Sequence, residues 1–441
     1  MRTRKASRRR AAPAEFKRLS QQPTPGILEQ RPLRLDADPQ LPAVHLRSVS
    51  FRPFLFRKMI DRVDPQARPG DLVAVFDRRA DRFGHGLYNP RSEIVVRMLN
   101  HDATVPDEGF WQGRLEQAVE LRRDLLRLDL VTDAYRLVHA EADGLTGLVV
   151  DRLGDVLSAE VFSLGMFQRA EELLRRLGTL CGTRHSIVQV PDQVHGQEGF
   201  LSNPIRTPDF PPNAIVSEFG TRFRVSFEEG HKTGFFCDQR ENRRMLASFC
   251  EGRSVLDLCC YTGGFAIQAK RLGKAAEVTA VDLDEKAIKL ARENANLNQL
   301  RVQCVHADVF AYMRDMIANG RRFDVVVLDP PKLIRSRREF DEGKRTHFDL
   351  NRLAMQLVAR GGLLLSCSCS GLLPEPDFLD LLHAAARNAV PQLAAEPLQD
   401  ASSNRGRTTQ ILARSGASPD HPIAPNCPET EYLKAVWLRV L

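Results

Sequence analysis

Across 441 residues there is no apolar run approaching the about 18 residues needed to cross a bilayer. The greasiest stretches, around 324–328 and 363–365, have the length of buried strands. None of the nine cysteines pairs at the two-residue spacing of a zinc knuckle, so no structural metal is expected. Nine in a chain this long is too few for a disulfide scaffold and suits a reducing, cytoplasmic setting. Residues 2–14 carry no large apolar side chain, which excludes an amphipathic transit helix and a secretory core at that end. The lysine of a nucleotide-binding Walker loop is also missing.

The composition, 43% hydrophobic and 27% charged, is that of a folded chain, and the length predicts two to four domains. The net charge of +7 is all local: residues 1–18 hold eight Lys or Arg against Glu15, and the rest of the chain balances. Such an arm suits a polyanion through counterion release, or is a solvated tail.

Organisation follows from changes of period. Residues 1–42 read as a basic arm and a Pro/Gln-rich linker. Residues 43–112 predict a small β-barrel, with alternating runs at 71–76 and 93–99, and Gly84 and Gly86 as punctuation between them. Residues 113–215 predict an α+β connecting domain, opening on a helical period over 111–130 that includes Leu115, Ala118, Arg122 and Leu125. From 216 to 441, strands alternate with helices, the pattern of a mainly parallel α/β sheet. Strands are expected at 254–258, 277–282, 302–306, 323–328, 362–368 and 432–440.

In such sheets ligands sit beyond the carboxyl ends of the strands, and the unusual residues fall there. The first end reads DLCCYTGGF, with Asp257 before a loop of Tyr261, Thr262 and Gly263 that opens a helix. An acid there repels phosphate and suits an ammonium group, which favours S-adenosylmethionine over a nucleotide. Asp282, twenty-five residues later, is placed to accept ribose hydroxyls, while Asp284 caps the next helix. Asp308 lies at the third end, where an adenine amino group would be. Asp329 leads a rigid Asp-Pro-Pro turn, and Lys332 replaces the aromatic residue of amine-methylating loops. At the fifth end Cys367 and Cys369 face the same side, Cys369 nearer the exit. A thiolate suits methylation of a pyrimidine at carbon-5, because that carbon is not nucleophilic until a nucleophile adds at carbon-6.

The strings DLVAVF, GHGLYNPRSEIVVRML, AYRLVHAEADGLTGLVVDRLGD, EGHKTGFFCDQRENR, VLDLCCYTGGFAIQA, LDPPK and SCSGL together resemble the ribosomal RNA large-subunit cytosine-C5 methyltransferases, the bacterial PUA-containing class I enzymes. The resemblance spans 43–441 and leaves the arm outside. It implies a PUA-like RNA-binding barrel at 43–112, a connecting domain, and a Rossmann-like methyltransferase domain using S-adenosylmethionine on ribosomal RNA. It also implies Cys369 as nucleophile with Asp329 as its companion. Gly230 to Arg240 would form a hairpin, with Phe236, Asp238, Gln239 and Arg240 touching the cofactor pocket. Two departures stand out: Cys237 replaces an aliphatic residue, and Cys367 is an extra thiol two residues before the nucleophile. Arg335, Arg337, Arg338, Lys344 and Arg345, with Lys332, are candidates for holding RNA phosphates or for a solvated loop face. Methylation of another base position such as guanine N2, and a non-catalytic RNA-binding assembly factor, remain open. So does whether a second copy is a partner.

Overall fold

The computed structural model describes residues 26–34, 40–227, 234–390 and 406–441. The basic arm therefore lies almost wholly outside the described residues. The chain divides into two compact units: Met1–Leu126 with Arg136–Pro211 and Pro422–Pro428, and Arg127–Tyr135 with Pro212–His421 and Glu429–Leu441.

In the first unit a six-stranded sheet curls around Val44, Leu46, Leu55, Val73, Val75 and Val96. The predicted alternating runs are its strands Leu72–Phe76 and Ile94–Asn100. Between them, where the sequence pattern marks only punctuation, runs a further strand, Arg82–Tyr88. Glycine is needed inside it because the neighbouring backbone comes so close. A Cβ on Gly84 would strike the Asn100 carbonyl, and one on Gly86 would lie 2.6 Å from the Arg97 carbonyl oxygen.

The same unit holds a five-stranded sheet covered by the helix Leu164–Cys181, whose face from Leu164 to Leu177 is buried. Glu198 joins the two sheets. It is buried, accepts from Asn89 Nδ2 at 2.9 Å and from the Leu164 amide at 3.0 Å, and lies 3.9 Å from Arg97.

The helical period expected over 111–130 is broken. The α-helix is Glu108–Glu120, followed by a π turn at Leu121–Leu125. The wider turn lets Arg122 point inward to a bidentate pair with Asp143, at 2.7 and 2.9 Å, and leaves Leu125 74% exposed.

The second unit is a seven-stranded sheet with strands in the order Gln303–His306, Glu277–Asp282, Ser254–Leu258, Phe323–Leu328, Val358–Ser368, Lys434–Val440 and Thr409–Ser415. The first five are parallel, and Lys434–Val440 runs antiparallel to its neighbours. Alternate residues feed two cores. Leu256, Val326 and Leu328 meet Leu350, Leu353 and Phe378 on one face, while Val255, Val325, Val327 and Leu365 meet Trp437 and Ala266 on the other. The chain steps outward from Ser254–Leu258 to Gln303–His306 and then returns to Phe323–Leu328. That reversal opens a crevice at the carboxyl ends of the two central strands.

A hairpin, Asn213–Glu218 with Thr221–Ser226, precedes this sheet. It corrects the one expected at Gly230–Arg240. Residues 230–233 lie outside the described set, and Cys237–Gln239 form a 3-10 turn leading into the helix Arg240–Ala247.

Candidate active site

At the first strand end the backbone is forced into an unusual path: Cys259, Tyr261 and Gly263 have φ of 60°, 48° and 83°. Only glycine takes the last without penalty, and a Cβ there would also press on Ala291 Cβ at 3.2 Å. The bend turns the Tyr261 amide onto Asp282 Oδ2 at 2.8 Å and starts the helix Gly264–Arg271.

Asp257 is fully buried beneath this loop. Its Oδ2 accepts from the Ala266 amide at 2.9 Å, and its Oδ1 is buried with no hydrogen-bond partner. Burial, followed by the charges of Asp329 and Asp282, pushes this carboxyl up to about 8, against the Ala266 bond. Once ionised, such a group calls for a cation beside it.

The other strand-end acids converge on the same place. Asp282 is gripped by amides at both oxygens, from Tyr261 and, at 2.9 Å, Asp284. Carboxylate oxygens have further lone pairs, so a diol can still be accepted. Asp284 caps the helix Glu285–Leu297, and Asp308 caps Val309–Ala318 by accepting from Ala311 at 2.9 Å. The Cys259 thiol between them is pushed well up, by burial first and then by Asp282, Asp329, Asp257 and Asp308. An ammonium and a ribose diol fit this donor set, and a polyphosphate does not.

Asp329 leaves the fourth strand and accepts from Gln239 Nε2 at 3.0 Å; Asn242 Nδ2 holds the Gln239 oxygen at 2.6 Å. On the fifth strand the alternation is clean. Ser366 bonds Asn351 Oδ1 at 2.6 Å, Ser368 lies 3.3 Å from His347 Nε2, and Ser370 accepts from the Ile334 amide at 3.2 Å, so the serines seal one face.

The cysteines take the other face but differ in surroundings. Cys367 is fully buried beside Leu365 and Trp437, and burial pushes its thiol far up. Cys369 is half-buried at the exit, with Sγ 4.0 Å from the Pro330 carbonyl oxygen of the Asp-Pro-Pro turn. Lys434 donates to the Ser370 carbonyl at 2.9 Å. Burial lowers its ammonium, and a charge on Cys369 works against that.

The 236–240 segment serves several ends. Phe236 meets Tyr261 edge to face at 5.0 Å. Asp238 Oδ2 accepts from Tyr432 at 2.7 Å, and its Oδ1 is buried without a hydrogen-bond partner. Arg240 corrects an expectation: it is fully buried and held by Asp420 at 2.7 and 3.1 Å, so it braces the scaffold rather than facing the pocket. Burial alone would raise Asp420, but His421 and Arg240 hold its carboxyl far below the usual range.

Sequence reasoning missed Arg243, which is buried, paired with Glu218 at 2.5 and 2.8 Å, and bonded to the Phe236 carbonyl at 2.9 Å. No local signal joins residues 25 positions apart on different elements. Lys332, Arg335, Arg337 and Arg338 are exposed after the Pro-Pro turn. Among the described residues no cluster of metal-ligating side chains occurs and no helix is long and apolar enough to cross a membrane.

Comparison with known proteins bears on the family and the fold. A family described as S-adenosylmethionine-dependent methyltransferase matches residues 179–403, and a PUA-like domain matches 47–101. Proteins named ribosomal RNA large subunit methyltransferase I are similar along nearly their whole length. The one from Aeromonas hydrophila is 37% identical over 398 residues, covering 88% of this chain and 95% of the relative. That from Pseudoalteromonas atlantica is 34% identical over 396 residues, with the same coverage. In fold, the chain resembles a solved methyltransferase complexed with SAH (TM-score 0.72, 18% identity, 90% of this chain and 99% of that one). The chain is an enzyme of the S-adenosylmethionine-dependent methyltransferase family, with a PUA-like domain, and belongs with the relatives named ribosomal RNA large subunit methyltransferase I.

Proposed function

We propose that this enzyme methylates carbon-5 of a cytosine in large-subunit ribosomal RNA through a covalent adduct on Cys369. The observation that carries the reading is a half-buried thiol at the exit of the fifth strand, against the turn that holds Asp329. The names of the relatives support the RNA substrate. S-adenosylmethionine, when bound, supplies an electrophilic methyl group; Asp257, Asp282 and Asp308, with the Tyr261–Gly263 loop, would hold it. Asp238 and Phe236 border the same pocket.

The Cys369 thiolate adds to carbon-6 of the base, and the carbon-5/carbon-6 π electrons become available at carbon-5, which takes the methyl group. A general base then removes the carbon-5 proton. The freed electron pair restores the double bond and expels the thiolate. Asp329, steadied by Gln239, holds the polar edge of the base. Lys332, Arg335, Arg337 and Arg338 would bind phosphates of the flanking strand. The barrel at 43–112 grips RNA, the part at 113–215 connects, and 216–441 carries the chemistry.

The test is incubation with labelled S-adenosylmethionine and unmodified ribosomal RNA, followed by mass spectrometry of the nucleosides. The expected product is 5-methylcytidine, lost in Cys369→Ala and kept in Cys367→Ala. RNA containing 5-fluorocytidine should trap the parent protein covalently, because fluorine cannot leave as a proton does. Methylguanosine with no trapping would overturn the thiol mechanism and favour the N2 reading.

A further inference from the structure

The barrel carries an aromatic cluster that the chemistry above does not use. Phe51 is 67% exposed, an unusual position for so large an apolar ring. It does not swing free. Its ring lies 5.4 Å from Phe83 and 5.6 Å from His101, and those two meet edge to face at 5.3 Å. Its backbone is pinned as well: the Phe51 carbonyl accepts from Asn426 at 3.0 Å, and the next amide donates to Ser50 Oγ at 3.2 Å. A ring backed by two others and fixed at its main chain presents an open surface at little cost in conformational entropy.

The surroundings are basic. Residues 47–58, RSVSFRPFLFRK, contain Arg47, Arg52, Arg57 and Lys58 and no acid. Arg57 is committed to the Pro90 and Ser92 carbonyls, Arg82 packs over the Phe76 ring at 4.8 Å and lies 2.9 Å from His85 Nε2, and Lys58 is exposed. The carboxylates around this segment are engaged: Asp102 accepts from Asn100 and the Thr104 amide, Asp61 lies 3.6 Å from Arg47, and Glu93 lies 3.9 Å from Arg57. Burial lowers the His101 imidazole, against its hydrogen bonds to the Ser50 and Arg52 backbone, and so disfavours a charge on that ring.

We infer that Phe51, backed by Phe83 and His101, is a stacking platform for an unpaired RNA base that is bound but not modified. Stacking on an aromatic ring within a basic rim is how single strands are held without sequence readout, because every base has a π face. A membrane surface or a protein partner would call for a broader apolar area than the exposed Val49, Phe51 and Phe56 of a segment that also carries four basic residues. This inference rests on the proposed RNA substrate.

The test uses Phe51→Trp in the full chain. Both native tryptophans, Trp111 and Trp437, are at most 1% exposed, so a tryptophan at 51 is the one that reports on a surface ligand. Titration with an unstructured A/C-rich 12-nucleotide RNA should quench its fluorescence saturably, and a duplex of the same length should not, since its bases are already stacked. Phe51→Ala, checked for an unchanged melting temperature, should bind the single strand about tenfold more weakly. Its slope of log affinity against log salt should be unaltered, because no phosphate contact is lost. No quenching, equal quenching by the duplex, or undiminished binding by Phe51→Ala overturns the platform. Nucleoside analysis separates the two readings. Quenching without any 5-methylcytidine would refute the proposed reaction alone, whereas 5-methylcytidine without quenching would refute the platform alone.

Discussion

Asp257→Asn should make the ligand-free enzyme more stable and a poorer binder of its cofactor. The native carboxyl is fully buried and titrates at about 8 against an ordinary 3.8, and one of its oxygens has no hydrogen-bond partner. Between those two values the native state holds a proton that the unfolded chain has released, so stability falls as pH rises through the window. The fall is at most about 1.4 kcal/mol per pH unit, which places the penalty at pH 7 at ~4 kcal/mol. Asparagine keeps the shape and the acceptor for the Ala266 amide, and removes the titration. Its advantage should therefore be small near pH 4 and grow steadily to pH 8. At pH 7 it should amount to a melting temperature higher by on the order of 10 °C. Thermal unfolding of both proteins across that range is the assay. Parallel curves would refute the reasoning, because they would mean that Asp257 does not titrate inside the window. The cofactor side is measured by calorimetry in buffers of different ionisation enthalpy. The cofactor's ammonium favours the ionised carboxyl, so the parent should release a proton on binding near pH 7. The variant should bind more weakly and release none.

Two further predictions concern the braces behind the site. Glu218→Ala leaves the Arg243 guanidinium buried without its bidentate partner, and should cost about 3–5 kcal/mol, read as a lower denaturant midpoint. A midpoint within error of the parent would show that water reaches Arg243. Gln239→Leu removes the donor that fixes Asp329; one hydrogen bond to a charged group is worth about 1.5–3 kcal/mol. It should lower kcat ten- to a hundredfold while the KM for S-adenosylmethionine changes little. A change confined to that KM would place Gln239 on the cofactor instead.

Much of this enzyme was legible because its chemistry sits at predictable points of a repeating pattern. The runs before Asp257, Asp282 and Asp329 are short and largely apolar, as strands buried on both faces are, so their ends could be located before any partner was known. Asp284 was readable as a cap because capping is local. Errors arose where a local pattern met a distant partner. The period through Leu125 was helical in sequence, yet the pull of Asp143 on Arg122 opened a π turn there. Gly84 and Gly86 read as punctuation, although what they answer to is the strand Ile94–Asn100 lying against them. Arg240 sits beside Gln239 in sequence, but only Gln239 reaches Asp329, because Asp420 claims the arginine.

What the sequence determined by itself was the alternation of strands and helices from Ser254 to Ser368, the acids at the strand ends and the two thiols on one face, since these depend on neighbours within a few residues. Only the tertiary structure decided that Cys367 is fully buried while Cys369 reaches the exit, and that Arg240 and Arg243 are braces. Burial and ion pairing depend on which distant segments fold against a residue, and the 3.6- and 2-residue periods of a chain carry no record of that.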